Sequence, residues 1–338
     1  MTTDSDRPVP TPAATGVGSL PGRDMAGALR VVFEVLAERP GVPFLPELPA
    51  RGVGADLTGR GAVYLADLYA QVQPSGWRIA DRPGRDHGRA VSFLSSDLDL
   101  LEEHTQGYTG PLKIQATGPW TLAATVELAR GDKLLADRGA ARDVAASLAE
   151  GLRRHVADIR RRVPGADVLL QLDEPALPGV LRGSVPTASG FGRLRAVDEL
   201  VARAALTQVI EAAGVPVIVH CCAPDVPFDL VRGAGAAGLS FDLSLIPDKH
   251  DTVLGEAIEA GFTLFAGVIA TLDPDSPPTY KTVLERLLGL RRLGFPGEVL
   301  ARSLVVTPVC GLAGASPAWA AKALRIAVDT ARGLEQVD

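Results

Sequence analysis

The chain has 338 residues, 46% of them hydrophobic and 22% charged, with a formal net charge of −6. That length holds one large barrel or two ordinary domains, and the acidic balance offers no footprint for nucleic acid or an anionic membrane surface. Three cysteines in so long a chain argue against a disulfide scaffold and for a reducing, cytoplasmic setting.

The first stretch, MTTDSDRPVPTP at residues 1–12, is polar and proline-rich and reads as a flexible lead-in. It lacks the basic and apolar regions of a secretory signal, and no apolar run approaches the roughly 20 residues that span a bilayer. From residue 13 onward, short β-branched runs alternate with longer amphipathic segments. Strands are expected at 15–19, 43–47, 112–117, 167–173, 216–221, 238–243, 263–269 and 304–307. Most are apolar on both faces, the pattern of a covered parallel sheet. Helices are predicted over 24–38, 140–162, 194–213, 252–260 and 316–332, with Gly214 and Gly261 as stops and Ser316-Pro317 as a start. Residues 53–99, rich in Gly and Arg, read as an elaborated loop region over one end. Eight strands with intervening helices predict a single-domain (β/α)8 TIM barrel over 13–338. A doubly wound sheet would need a phosphate-binding loop after the first strand, and Gly16-Val17-Gly18 lacks the rest of that pattern.

The chemistry concentrates at predicted strand ends. In VIVHCCAPD, His220 and Cys222 project to one side of a strand and Cys221 to the other. A His-x-Cys pair suits zinc, yet buried inert cysteines fit the same residues. Cys310, in LVVTPVCGLAG, is expected at the same rim. Asp242 is an acid inside the apolar run GLSFDLSLI, and it needs either a metal or an arginine partner there. LLQLDEPAL puts Asp173 and Glu174 at a strand end, where solvated acids before a proline are also common. The turn ATGVGSLPG offers backbone N–H groups and a hydroxyl to an anion. Trp120, in TGPWTLA, could stack on a flat ligand or simply pack. His155 reads as a surface residue of a charged helix, while His104 and His250 fall in loops or helix starts, and His87 lies on a loop over the mouth.

Taken in order, VGSLPG, TGPWTLA, LLQLDEPAL, VIVHCC, LSFD and TPVCGL resemble the catalytic half of cobalamin-independent methionine synthase. The resemblance implies a zinc ion held by His220, Cys222, Asp242 and Cys310. It implies homocysteine bound through its amino group by Asp173 and Glu47 and through its carboxylate by Val17, Gly18 and Ser19. The implied reaction is methylation of the homocysteine thiol to methionine, with zinc lowering the thiol pKa. Two cysteinates and a carboxylate keep the metal electron-rich, which favours thiol alkylation over hydrolysis.

The sequence departs from that family in three ways. Asp242 stands for the usual glutamate, Leu272 for a histidine implied in protonating the departing folate nitrogen, and the chain has one barrel where the familiar enzyme has two. Asp273, next to Leu272, is the remaining candidate acid. The donor is therefore either methyl-tetrahydrofolate or a methylated corrinoid presented by another protein. Methyl transfer between a corrinoid and another small thiol, and a non-catalytic zinc-binding descendant, stand as alternatives.

Overall fold

The computed structural model describes residues 9–246 and 251–337, so His250 and residues 1–8 lie outside the described residues. The strands are β1 (Ala13–Ala14), β2 (Tyr69–Gln73), β3 (Gly76–Ala80), β4 (Gly110–Thr117), β5 (Ala166–Asp173), β6 (Val217–His220), β7 (Gly238–Asp242), β8 (Thr263–Ile269) and β9 (Leu304–Pro308). Seven form one sheet in the order β1-β9-β8-β7-β6-β5-β4, and every pairing is parallel. β2 and β3 form a separate antiparallel hairpin.

The expected strand at 43–47 does not join this sheet as a ladder. It makes isolated parallel bridges instead, with Ala14↔Gly41 and Ser19↔Glu47 on one side and Phe44↔Lys113 on the other. Prolines at 40, 43, 46 and 49 explain this, because each removes a backbone donor and a continuous ladder cannot form. The segment nonetheless bonds to both sheet edges: Val42 N–H donates to the Ala14 carbonyl at 2.8 Å, and Leu45 N–H to the Lys113 carbonyl at 3.0 Å. The expected strand at 15–19 is likewise short of regular structure beyond Ala14, although Thr15 N–H reaches the Val306 carbonyl at 3.1 Å.

The predicted helices are present with small shifts. Met25–Leu36, Arg138–Arg162, Glu199–Ala213, Asp251–Glu259 and Pro317–Leu334 pack their apolar faces on the sheet. Asp137, Asp198 and Ser316 cap three of them by accepting from first-turn N–H groups. Gly214 closes its helix in the left-handed conformation, as its position in the sequence indicated.

Residues 53–99 are not a loop. They hold the helix Leu57–Val63, the β2–β3 hairpin and most of the helix Arg85–His104. Within the lead-in, Val9 and Thr11 are buried, and the Thr11 hydroxyl donates to the Arg302 carbonyl at 2.7 Å. Among the described residues no helix is long and apolar enough to cross a membrane.

The face of the sheet turned away from the helices carries a small apolar cluster of Val9, Ala13, Val42, Leu169, Ile218, Phe265 and Val305. Above it, toward the C-terminal ends of the strands, the same face turns polar. Register alignment puts Lys113 beside Leu169, Gln115 beside Gln171, Thr117 beside Asp173, and Asp173 beside His220. A cavity of about 680 Å³ opens at the opposite end, around Pro12, Pro40, Pro111 and Pro216, and carries none of the candidate residues.

Candidate metal and amino-acid site

β6 ends at His220, and its continuation delivers Cys222 to the same side of the sheet. Cys310 follows β9. The ligand atoms of His220, Cys222 and Cys310 all lie within 4.8 Å of one another, and the two sulfurs are 3.1 Å apart. Cys221 is wholly buried among the apolar side chains on the other side, where burial pushes its thiol up to about 12. The split between the neighbouring cysteines expected from strand alternation is therefore what the chain adopts.

His220 is buried and oriented by one bond, its Nδ1–H donating to Asp173 Oδ1 at 2.9 Å. That bond occupies Nδ1 and leaves Nε2, which is buried without a hydrogen-bond partner. Burial works to lower the His220 pKa, but the Asp173 carboxylate and the Cys310 sulfur outweigh it and hold it at about 9. Cys310 is drawn below the usual thiol range by the Cys222 thiol, against burial and with help from His220, while Cys222 is pushed up. An orphaned buried imidazole nitrogen aimed with two sulfurs fits a metal ion, and this nitrogen–sulfur donor set suits zinc.

Asp242 is not in that group. It ends β7 on the same face as Ser240, but its carboxylate accepts from Ser244 N–H at 2.9 Å and Ser244 Oγ at 2.7 Å. An aspartate is short enough to cap its own turn, and here it does so.

The amino-acid candidates lie on the adjoining side. Glu47 is buried 3.1 Å from Arg60 Nε; burial raises its pKa, Arg60 opposes this, and nearby Asp173 adds to the rise. Asp173 Oδ1 also accepts from Gln171 Nε2 at 2.7 Å. Val17, Gly18 and Ser19 run past both carboxylates, since Glu47 N–H donates to the Gly18 carbonyl and Leu20 N–H to that of Glu47. Gly18 has φ of 154°, and an added Cβ there would lie 3.0 Å from Gln115 Cδ. Leu312 N–H donates to the Ser19 carbonyl, and a Cβ on Gly311 would collide with Ser19 Oγ at 2.0 Å. The Val17–Ser19 turn is thereby tied to the loop that carries Cys310. Among the described residues, neither the Gly18 nor the Ser19 N–H has a hydrogen-bond partner, so the turn presents unpaired donors.

Trp120, Asp273 and His155 stand apart from these groups. Trp120 is buried, with its indole N–H donating to the Ala202 carbonyl at 3.0 Å, so it packs between elements and offers no stacking face. Asp273 is exposed and accepts from Ser316 N–H and Oγ, which lowers its pKa; a proton donor would need the reverse. His155 is also no surface residue: it is buried against Tyr64, ring centroids 4.6 Å apart, and burial drives its pKa down to about 3.

Sequence reasoning missed the support beneath the site. Lys113 is wholly buried, and burial draws its pKa down to about 8 against the pull of Asp173 and Glu47. Arg60 links Glu47 to Asp97, which also takes two bonds from Arg51. Glu174 caps the helix Pro119–Thr125 by accepting from Trp120 N–H, Thr121 N–H and Thr121 Oγ1. Burial lifts its pKa to about 7. The alternation of Lys113 with Gln115, and of Gln171 with Asp173, was the available signal: polar residues two apart in otherwise apolar strands share one face.

Residues 106–333, about two thirds of the chain, match the model of the cobalamin-independent synthase catalytic domain. The chain belongs to that family. Among solved structures, a B12-independent methionine synthase from Shewanella sp. W3-18-1, in complex with selenomethionine, aligns over 96% of this chain and 98% of its own. The TM-score is 0.59 at 17% identity, a likeness of fold. SrfJ from Salmonella typhimurium aligns over 88% of this chain and 65% of its own, at 13% identity and a TM-score of 0.39, too low to carry an argument. A search of the curated proteins finds no match.

Proposed function

We propose that this protein is a zinc-dependent methyltransferase that converts homocysteine to methionine at the C-terminal mouth of a closed barrel. Closure by residues 41–47 as an eighth strand is supported by their isolated bridges to Ala14 and Ser19 on one side and to β4 on the other. The observation that carries the reading is the orphaned Nε2 of His220 beside two sulfurs, next to a turn with unpaired donors.

His220, Cys222 and Cys310 would hold the zinc, with Asp242 as a fourth ligand once its carboxylate leaves Ser244. When bound, zinc supplies a lowered pKa to a coordinated thiol. Asp173 holds His220 in the tautomer that frees Nε2, and its second oxygen and Glu47 face the substrate ammonium. The Gly18 and Ser19 N–H groups and the Ser19 hydroxyl take the substrate carboxylate. So anchored at two points, the substrate sulfur is aimed at the methyl carbon. The S–C bond forms as the bond from methyl to the donor breaks, and the electron pair leaves with the donor.

The donor side favours a methylated corrinoid. A departing folate nitrogen needs a proton, whereas a departing cobalt keeps its electron pair without one. Leu272 cannot supply a proton, and Asp273 is held as a carboxylate by Ser316.

The test is zinc content of the purified chain, followed by methionine formation from homocysteine with methylcobalamin and, separately, methyl-tetrahydrofolate. About one zinc per chain with turnover on methylcobalamin alone is the expected result. Turnover on the folate alone would reverse the donor assignment. Zinc without turnover on either donor would support the non-catalytic alternative.

A further inference from the structure

Lys113 sits wholly buried beneath the site, and its ammonium donates to three oxygens: Val17 O at 3.0 Å, Gln171 Oε1 at 2.9 Å and Gln115 Oε1 at 3.2 Å. A lysine can only donate. It therefore dictates which end of each glutamine amide faces it, and each Nε2 must turn to a backbone carbonyl. Gln171 Nε2 donates to Val17 O at 2.7 Å, and Gln115 Nε2 to Leu45 O at 2.5 Å. The Val17 carbonyl thus receives two buried donors. In a trans peptide C=O and N–H point in opposite directions, so pinning Val17 O toward Lys113 turns the Gly18 N–H away from it. That N–H is the unpaired donor of the turn, and Leu45 lies two residues before Glu47.

Resting on the function proposed above, we propose that Lys113 is a positioning residue for the amino-acid substrate. As a donor-only hub it sets both glutamine amides and so fixes the Val17–Gly18 peptide, which presents the Gly18 N–H to the substrate carboxylate. It touches neither the substrate nor the metal ligands. Its contribution is direction: without it, the Gln115 amide is free to flip, Gln171 keeps its bond to Asp173 to orient it, and Val17 O loses a charged donor.

The test compares binding of three metal-independent probes by calorimetry: methionine, 3-(methylthio)propylamine, which lacks the carboxylate, and 4-(methylthio)butanoate, which lacks the amine. In Lys113→Met, affinity for methionine and for the butanoate should fall about tenfold or more, the scale of losing hydrogen bonds to a charged group. Affinity for the propylamine should change little, so the preference for methionine over the propylamine collapses. A general structural defect would weaken all three probes alike and overturn the proposal. So would an effect confined to the propylamine, which would mean that Lys113 acts only as a countercharge to Glu47 and Asp173. Should Lys113→Met fail to fold, Gln171→Met is expected to show the same collapse, and an unchanged preference there overturns the proposal. Wild-type protein that binds no methionine would instead remove the functional reading beneath it.

Discussion

On the β4–β5 side of the mouth, buried charges meet opposite charges: Glu47 meets Arg60, Arg60 meets Asp97, and Lys113 lies between Glu47 and Asp173. On the β6–β9 side, among the described residues, His220 Nε2 has no hydrogen-bond partner and the two sulfurs face each other at 3.1 Å. On the first side, the floor, each of these charges has an opposite charge beside it before anything binds, although Arg60 Nη2 and Tyr64 Oη lack a hydrogen bond. The second is left unfinished, which is how a chain marks the place a ligand atom is to occupy. Asp173 joins the two, since one of its oxygens takes a bond from Gln171 on the floor and another from His220 above it.

The contrast predicts that losing an atom on the unfinished side abolishes binding while leaving the fold intact. Cys222→Ser and Cys310→Ser should each lose bound zinc and all measurable turnover, with thermal stability of the metal-free protein near that of the wild type. Cys221→Ser, on the apolar side, should keep the metal at full stoichiometry. Elemental analysis and thermal melts of the three variants check this. Zinc retained in both mouth variants would break the comparison.

A change to the charge-paired side should act on stability first. Arg60→Met removes the cation shared by Glu47 and Asp97 and leaves buried carboxylates short of a partner. The expected loss is about 3–5 kcal/mol by denaturant unfolding. An Arg60→Met protein as stable as the wild type, yet inactive, would mean that Arg60 serves the chemistry and not the floor.

The smallest effect is a pH dependence beneath the floor. His155 is held neutral by burial, with a folded pKa of about 3 against an ordinary value of 6.5. The unfolded chain therefore binds a proton that the folded chain refuses, in the window between those two values. The stability contributed is full above pH 6.5 and is lost as pH falls toward 3, at up to about 1.4 kcal/mol per pH unit. His155→Phe, which can still pack on Tyr64, should flatten the fall between pH 6.5 and 5 relative to the wild type. Parallel curves for the two proteins would show that His155 is not held neutral.

His155 also shows where sequence reading stopped short. Its helix looks charged along its length, but Leu148, Leu152, His155 and Ile159 are spaced at three and four residues and share one buried stripe. Composition hid what spacing contained. The partners of Trp120 and Asp273 stayed open for a different reason: nothing local tells an indole whether a carbonyl from a helix 82 residues away will accept its N–H. Nor does anything local tell an exposed aspartate that it will cap Ser316 instead of donating a proton.

What the sequence by itself determined follows from periodicity and covalent rules. Alternation along β6 put His220 and Cys222 on one side and Cys221 on the other. Apolar runs marked six strands of the sheet close to their observed limits, and the prolines at 40, 43, 46 and 49 already forbade a regular ladder there. What only the tertiary structure decided is every choice among competing partners. Lys113, Gln115 and Gln171 come from two different strands and act on two further segments, at Val17 and Leu45. Asp242 was open to a metal, to an arginine or to a neighbour in its own turn, and the structure has it on Ser244. Hydrogen bonds are short and directional, so which acceptor a buried donor finds depends on ångström-scale packing of segments far apart in the chain, and a local pattern carries none of that information.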